Sequence, residues 1–185
     1  MTSSPLIRWH YLWYATTALA VMVGAIVWNN LWFLNFVHVF SGLLWTGIDL
    51  FLGFVLAPIL RTVDPVVRGA ITSRLTPRTL FLMPTIAIIT GTTGWFLAVD
   101  LGYTQLAWPH YAWVAAALAL VTLMTIVGLG ILTPTNVIVC LELQKQKPDL
   151  DRIGGLMRRY FFFTAAQGTM QVFTIIIMTR FRMGI

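Results

Sequence analysis

The chain has 185 residues, of which 58% are hydrophobic and 10% charged, and its mean hydropathy is +0.83. Because soluble domains carry about 25% charged residues, this composition excludes an ordinary soluble domain and predicts one all-α bundle in contact with a lipid bilayer. The formal net charge of +6 comes from basic residues beside apolar segments, as membrane topology requires, so no nucleic-acid partner is expected.

Five apolar segments approach the length of about 20 residues that a helix needs to cross a bilayer. They cover approximately residues 11–28, 33–60, 79–99, 110–133 and 160–179. The first could instead be a signal peptide, but its apolar stretch is long and ends in VWNN, a poor cleavage site. The sequence therefore predicts a single domain with five transmembrane helices.

Basic residues predict the orientation of these helices. Segments 61–78 and 134–159 hold nine of the 12 Lys and Arg residues, Arg8 is a tenth, and segment 100–109 holds none. Since basic loops stay in the cytoplasm, we expect a multi-pass protein of the bacterial inner membrane with a cytoplasmic N-terminus and an external C-terminus. Arg180 and Arg182 are the exceptions. Aromatic residues agree, because they cluster at the predicted outer boundary: Trp28, Trp32, Tyr103, Trp108, Tyr111 and Trp113.

The two basic segments are expected to be partly helical. Pro134 is predicted to kink the fourth helix, which then continues to about Gln146. Residues 150–160 are predicted to form a short interfacial helical turn with a hinge at Gly154 and Gly155.

A polar stripe on the second segment is the main candidate for a functional site. His38, Ser41, Trp45 and Asp49 fall on one helical face, with His38 and Asp49 roughly 16 Å apart along the axis. An ionised carboxylate at this depth costs about 2.5–3.5 kcal/mol on insertion scales, so Asp49 needs a partner or stays protonated. The fifth segment offers Gln167 and Gln171 on one face, and the third offers Thr90 to Gly94. Asp49, Gln167 and Gln171 are therefore predicted to be either a proton-linked group or structural hydrogen-bonding groups.

Two histidines suggest a haem site. His38 and His110 lie on different predicted helices in the same leaflet, and two such imidazoles are what a six-coordinate b-type haem requires. We therefore predict His38 and His110 as ligands of a haem iron. Covalent attachment is excluded, because Cys140 is the single cysteine and a CxxCH motif needs two. A copper site would need further ligands at the same depth, for which Met22 is the one obvious candidate.

The stretch HVFSGLLWTGIDLFLGFVLAPIL resembles a superfamily of small membrane proteins. This superfamily includes copper-resistance D-like proteins, HemJ protoporphyrinogen oxidases and the membrane domain of bacterial urate hydroxylases, which share an HxxxxxxWxG pattern. Here the pattern falls on His38, Trp45 and Gly47, and TPTNVIVCLELQKQKPD resembles a helix end in the urate hydroxylase group. The resemblance implies a helical bundle in which His38 ligates haem b. The chain lacks the intramembrane lysine of HemJ proteins, so porphyrinogen oxidation is not implied.

These observations give three functional hypotheses. The first is an inner-membrane haem b protein that passes electrons between a quinol or enzyme partner and an outer acceptor. The second is a non-catalytic accessory or assembly subunit of a larger membrane complex, and the third is a copper or small-solute transporter. A quinone, partner membrane subunits and a second copy of the chain remain candidate partners, and whether the protein is an enzyme stays open.

Overall fold

The computed structural model describes residues 11–183, apart from the side chain of Arg182. Arg8, one of the basic residues that predict the orientation, lies outside this range. The described residues form five helices and no strand: α1 Tyr11–Val27, α2 Leu31–Thr62, α3 Pro65–Asp100, α4 Tyr111–Leu143 and α5 Leu150–Arg182. A single 3₁₀ turn, Tyr103–Gln105, lies between α3 and α4.

Four of the helices are long and apolar enough to cross a membrane. Helices α2, α3 and α4 contain 32, 36 and 33 residues, and the apolar part of α5 contains 32. At 1.5 Å per residue each exceeds the roughly 30 Å of a bilayer's hydrocarbon core. The chain is therefore an all-helical, multi-pass membrane protein, as predicted. Helix α1 is shorter, with 17 described residues, at the lower limit for a span.

Three helices begin at side chains that cap their first turns. Asn30 accepts a hydrogen bond from the backbone N–H of Phe33 at 3.0 Å, at the start of α2. Asp64 accepts from Val66 N–H at 2.8 Å before α3, and Asp149 from that of Arg152 at 2.9 Å before α5. Such caps satisfy backbone donors that the helix itself leaves unpaired.

These starts correct the expectations for the basic segments. Helix α5 runs without a break from Leu150, so the separate interfacial turn and the hinge at Gly154 and Gly155 are wrong. Helix α4 ends at Leu143, three residues before the predicted end. The hydrogen bond from Arg152 N–H to Asp149 fixes the start of α5 at Leu150. Gly154 and Gly155 then lie inside a continuous helix.

Two π-helical turns widen α2 and α4. They cover Phe51–Leu56 and Gly128–Leu132, and each lies directly before a helix segment with a proline in its first turn, Pro58 and Pro134. A proline lacks the N–H for the helical bond and clashes with the carbonyl four residues earlier, and the wider turn accommodates both defects.

Helix α2 packs on α1, α3 and α5. Glycines set its distance from α5, because a Cβ on Gly53 would lie 2.6 Å from Ala165 Cα, and one on Gly168 would lie 3.2 Å from Leu50 N. Small residues allow such close approach between membrane helices. The two ends of the bundle differ. We call the end with the α2–α3 turn and the α4–α5 connection (residues 61–65 and 143–150) the basic end, and the end with residues 28–31 and 101–110 the aromatic end.

Candidate functional site

The carboxyl group of Asp49 is fully buried where α2 meets α5. Its Oδ2 accepts hydrogen bonds from Gln167 Nε2 at 3.1 Å and from Gln171 Nε2 at 3.0 Å. The two glutamines lie four residues apart, so they share one face of α5 and reach the same oxygen from successive turns. The predicted convergence of these three side chains is thus present, and we call the group the carboxyl–amide site.

Three oxygens of this site are buried without a hydrogen-bond partner among the described residues. They are Asp49 Oδ1, Gln167 Oε1 and Gln171 Oε1. Buried polar atoms in proteins are nearly always paired, so three orphan acceptors in one group require an explanation. The indole of Trp45, one turn earlier on α2, also interacts with the carboxyl group. A further hydrogen-bond donor or a bound cation would satisfy these three oxygens.

The π-helical turns of α2 and α4 lie next to the carboxyl–amide site. The π-helical turn of α2 begins at Phe51, two residues after Asp49, and the turn of α4 begins at Gly128. A Cβ on Gly128 would lie 3.9 Å from Gln167 Oε1, so this turn faces the amide oxygen directly. Single π-helical turns are frequent at functional sites, because they shift side chains and leave backbone groups less tightly paired.

Buried polar side chains continue from the site along α5 in both directions. Tyr160, Thr164, Gln167, Gln171 and Thr174 recur at spacings of three and four, and all are buried.

Beyond Tyr160 the polar row passes to α3 and α4. The Tyr160 hydroxyl interacts with Asn136, Thr79 and Thr164, and Asn136 Nδ2 donates to Thr79 Oγ1 at 3.4 Å. Further buried threonines follow on α3, of which Thr72 has an unpaired hydroxyl. Buried hydroxyl and amide groups therefore recur between the carboxyl–amide site and the basic end, and several of their hydroxyls donate to backbone oxygens of their own helix.

His38 packs on α3, eleven residues from Asp49 on the same helix. Its Nδ1 lies 3.0 Å from the backbone oxygen of Thr90 and 3.3 Å from Thr93 Oγ1. A carbonyl oxygen only accepts, so Nδ1 carries the proton in this bond. A Cβ on Gly94 would lie 2.7 Å from His38 Cε1, so only glycine permits this ring position. Nε2 has no hydrogen-bond partner among residues 11–183, and the His38 side chain is half-buried.

His110 lies apart from both groups. It precedes Tyr111 at the start of α4, its side chain is exposed, and no hydrogen bond, ion pair or ring contact joins it to a described residue's side chain. The geometry around His38 suits a ligand, because a ring whose Nδ1–H binds a carbonyl presents Nε2 to a metal. No hydrogen bond or ring contact joins the side chains of His38 and His110, and their pairing on one haem iron stays a prediction. Across the described residues, no three His, Cys, Asp or Glu side chains group as a metal site would need.

Sequence reasoning missed one cluster at the basic end. Glu142 is buried and accepts from Lys145 Nζ at 2.7 Å, with Arg152 Nη1 at 3.2 Å from the same oxygen. The sequence does contain a signal for this cluster, because Glu142 lies three positions before Lys145, a spacing that allows an ion pair on a helix.

No protein-family model, no curated protein and no solved structure matches the chain. The resemblance drawn from His38, Trp45 and Gly47 therefore stays a prediction, and the site is interpreted from its own chemistry.

Proposed function

We propose that the chain is a small proton-linked transport protein in which the Asp49 carboxyl takes up and releases a proton within the bilayer. One observation carries the proposal: Oδ2 of Asp49 receives two amide N–H groups, whereas Oδ1 and both amide oxygens receive none from the described residues. A purely structural carboxylate would be expected to have donors on both oxygens, since an unpaired buried acceptor costs about 1–3 kcal/mol. A proton on Oδ1 supplies the donor that this group of oxygens lacks.

The polar row on α5, α3 and α4 supports a route for that proton. Hydroxyl groups donate and accept at once, so Tyr160 and Thr164 can pass a proton where an aliphatic side chain cannot. Intramembrane acidic residues in such rows mark proton relays in pumps and transporters. Uptake of one proton converts the Asp49 carboxylate into a carboxylic acid, and release of that proton restores the carboxylate, so no other reactant is needed.

We place the protein in a bacterial inner membrane with five crossings, the basic end in the cytoplasm and the aromatic end outside. Charge and aromatic distribution support this orientation. Arg180, an exception to the charge rule, lies with its guanidinium 4.8 Å from the centre of the Trp113 ring, a cation–π contact suited to an interface. A cysteine placed at exposed Gln105 should react with an impermeant maleimide in intact cells, whereas one at Gln144 should not. The reverse pattern inverts the topology.

Carbodiimide labelling tests the proposal, because dicyclohexylcarbodiimide enters membranes and reacts with protonated carboxyl groups. Mass spectrometry of the reconstituted protein should find the adduct on Asp49, with a yield that falls as pH rises. Asp49→Asn should abolish this adduct. Asp100→Asn is the matched control, since Asp100 is exposed at the end of α3 and its loss should leave labelling of Asp49 unchanged. Absence of an Asp49 adduct at every pH would show a permanently ionised, structural group.

A second candidate function is favoured by His38. Because Nδ1 is bound to the Thr90 carbonyl and Nε2 has no partner among the described residues, His38 would be the residue that holds a haem iron. When bound, haem would supply one-electron chemistry, and the chain's own contribution would be to orient the imidazole through Thr90 and to admit its ring through Gly94. Protein from haem-replete cells should then show a Soret band that His38→Ala abolishes. His110→Ala should weaken the band only if a second protomer or a rearrangement brings His110 to the iron. A colourless protein purified from haem-replete cells would contradict haem binding by His38.

A further inference from the structure

A cleft of about 670 Å³ opens at the basic end, between α2, α3 and α5. Three arginines line it, each from a different helix: Arg61 from the last turn of α2, Arg68 from the first turns of α3 and Arg158 from α5. Asp151 is the one acidic residue in the lining. Three positive charges and one negative charge give the cleft a formal charge of +2 (3 − 1).

This charge is not neutralised by ion pairs within the described part of the chain. The two ion pairs found there both use Glu142, which binds Lys145 and Arg152. Glu142 is therefore occupied and cannot compensate the cleft. Three guanidinium groups that line one cleft with a single carboxylate leave an excess of positive charge, and an anion from outside the chain compensates that excess.

The cleft also has a built shape. A Cβ on Gly154 would lie 3.5 Å from Arg68 Nη2 and 3.8 Å from its Cζ, so the guanidinium of Arg68 rests against α5 at a position without a side chain. The floor is apolar and buried, formed by Leu60, Met157 and Phe161. Topology alone explains why arginines occur at this end, but not why three of them surround one cavity. Arg159, which follows Arg158, instead lies with its guanidinium 5.9 Å from the centre of the Phe163 ring.

We propose that this cleft binds a phosphate-bearing anion. Guanidinium groups form paired hydrogen bonds with phosphate oxygens, and three of them match the several oxygens of one phosphate. The apolar floor favours a ligand with a hydrophobic part, as in an anionic phospholipid, and basic pockets between membrane helices bind such headgroups. A soluble phosphate compound carries the same recognised group. The inference stands on the arginines alone and does not depend on the role of Asp49.

The experiment compares both sources on the purified full chain. In one arm, nanodiscs of phosphatidylcholine with increasing phosphatidylglycerol are used without free phosphate. In the other, pure phosphatidylcholine nanodiscs are titrated with inorganic phosphate. Native mass spectrometry of retained phosphatidylglycerol and the unfolding temperature are measured in each arm, because a ligand that binds only the folded state raises that temperature.

The two arms have distinct expected results. Phosphatidylglycerol should be retained and raise the unfolding temperature if the anion is a lipid headgroup, whereas a response to inorganic phosphate alone assigns a soluble compound. Changing Arg61, Arg68 and Arg158 together to Gln should weaken the response at least about tenfold, consistent with the loss of one or more charge-assisted hydrogen bonds. Arg159→Gln is the matched control and should leave binding within about twofold, as expected for an arginine outside the cleft.

A charge-neutral variant guards against misfolding of the triple variant. Gly154→Leu fills the cleft beside Arg68 without removing a charge and should also abolish retention. No response in either arm, or equal weakening by Arg159→Gln and the triple variant, overturns the proposal, because general surface charge then explains the binding.

Discussion

Helix α2 carries two intramembrane polar groups that are held in opposite ways. His38 is held by the backbone, with the Thr90 carbonyl oxygen on Nδ1 and Gly94 against the ring, and its Nε2 has no hydrogen-bond partner among the described residues. Asp49 is fixed by two flexible amide side chains, is fully buried, and keeps an oxygen without a donor. Helix α2 thus presents an imidazole to α3 and a buried carboxyl group to α5. The two groups can therefore be disturbed separately.

Gly53→Leu should give the largest effect and should disturb only the Asp49 half. A Cβ at position 53 would meet backbone atoms of Ala165, which cannot move aside, so α2 and α5 must separate. We expect a loss of stability at or above the upper end of the roughly 1–3 kcal/mol typical of overpacking. Reversible unfolding in mixed micelles measures it. Gly47→Ala is the control, because no atom lies within 4 Å of its added Cβ. Equal effects of the two variants would contradict the close α2–α5 contact.

Asp49→Leu should give the next largest effect. The Nε2 groups of Gln167 and Gln171 then lose their acceptor, at a cost of about 1–3 kcal/mol for each donor left unpaired. Asp49→Asn should cost less, since its amide oxygen can still accept. The same unfolding assay compares the two variants, and a Leu variant as stable as wild type would show that the amide bonds contribute little.

Gly94→Ala should disturb only the His38 half. The added methyl lies 2.7 Å from His38 Cε1, so the imidazole must tilt away from the Thr90 carbonyl. We expect a cost of about 1–2 kcal/mol, in the range for overpacked sites. A double-mutant cycle with His38→Ala checks the cause, because the cost should largely vanish once the ring is gone. An unchanged cost in the His38→Ala background would place the strain elsewhere.

Thr90→Val should give the smallest effect. It removes the hydroxyl that donates to Ser41 Oγ at 2.9 Å but leaves the backbone oxygen that holds His38. Hydrogen bonds between membrane helices contribute about 0.6 kcal/mol on average. The unfolding assay should find a change near that size, while any spectral property of His38 stays the same. A loss as large as that of Gly94→Ala would mean that the hydroxyl, rather than the carbonyl, positions the ring.

The sequence predicted the long helices and the polar face of α2 that carries His38 and Asp49, because both follow from local periodicity. The polar spacing on 160–179 and 33–60 was enough to place Gln167 and Gln171 with Asp49. The sequence offered Thr90 to Gly94 as a polar segment for this face but did not assign it to His38. The decisive contacts are a backbone oxygen and a missing side chain, and neither has a periodic signal. Val37 lies off the polar stripe, where periodicity alone predicts contact with lipid, yet it is 8% exposed and packs with Met22 and Ala25 of α1. One-helix periodicity cannot reveal how many neighbours surround a face.

The arginine cleft and the two π-helical turns were beyond sequence reasoning for a different reason. Arg61, Arg68 and Arg158 are far apart in the chain, and their convergence depends on how three helices cross. The π-helical turns precede Pro58 and Pro134, but Pro77 and Pro84 lie within the helix of α3 without one. Proline alone therefore does not determine the local backbone.

Infrared difference spectroscopy of the reconstituted protein can observe proton exchange at the Asp49 carboxyl group itself. A pH titration should reveal a carbonyl stretching band of a protonated carboxylic acid that appears at low pH, disappears at high pH and is missing from Asp49→Asn. The band should persist in Asp100→Asn. If the spectra of wild type and Asp49→Asn match throughout the titration, Asp49 does not exchange a proton and the proposed transport function is contradicted.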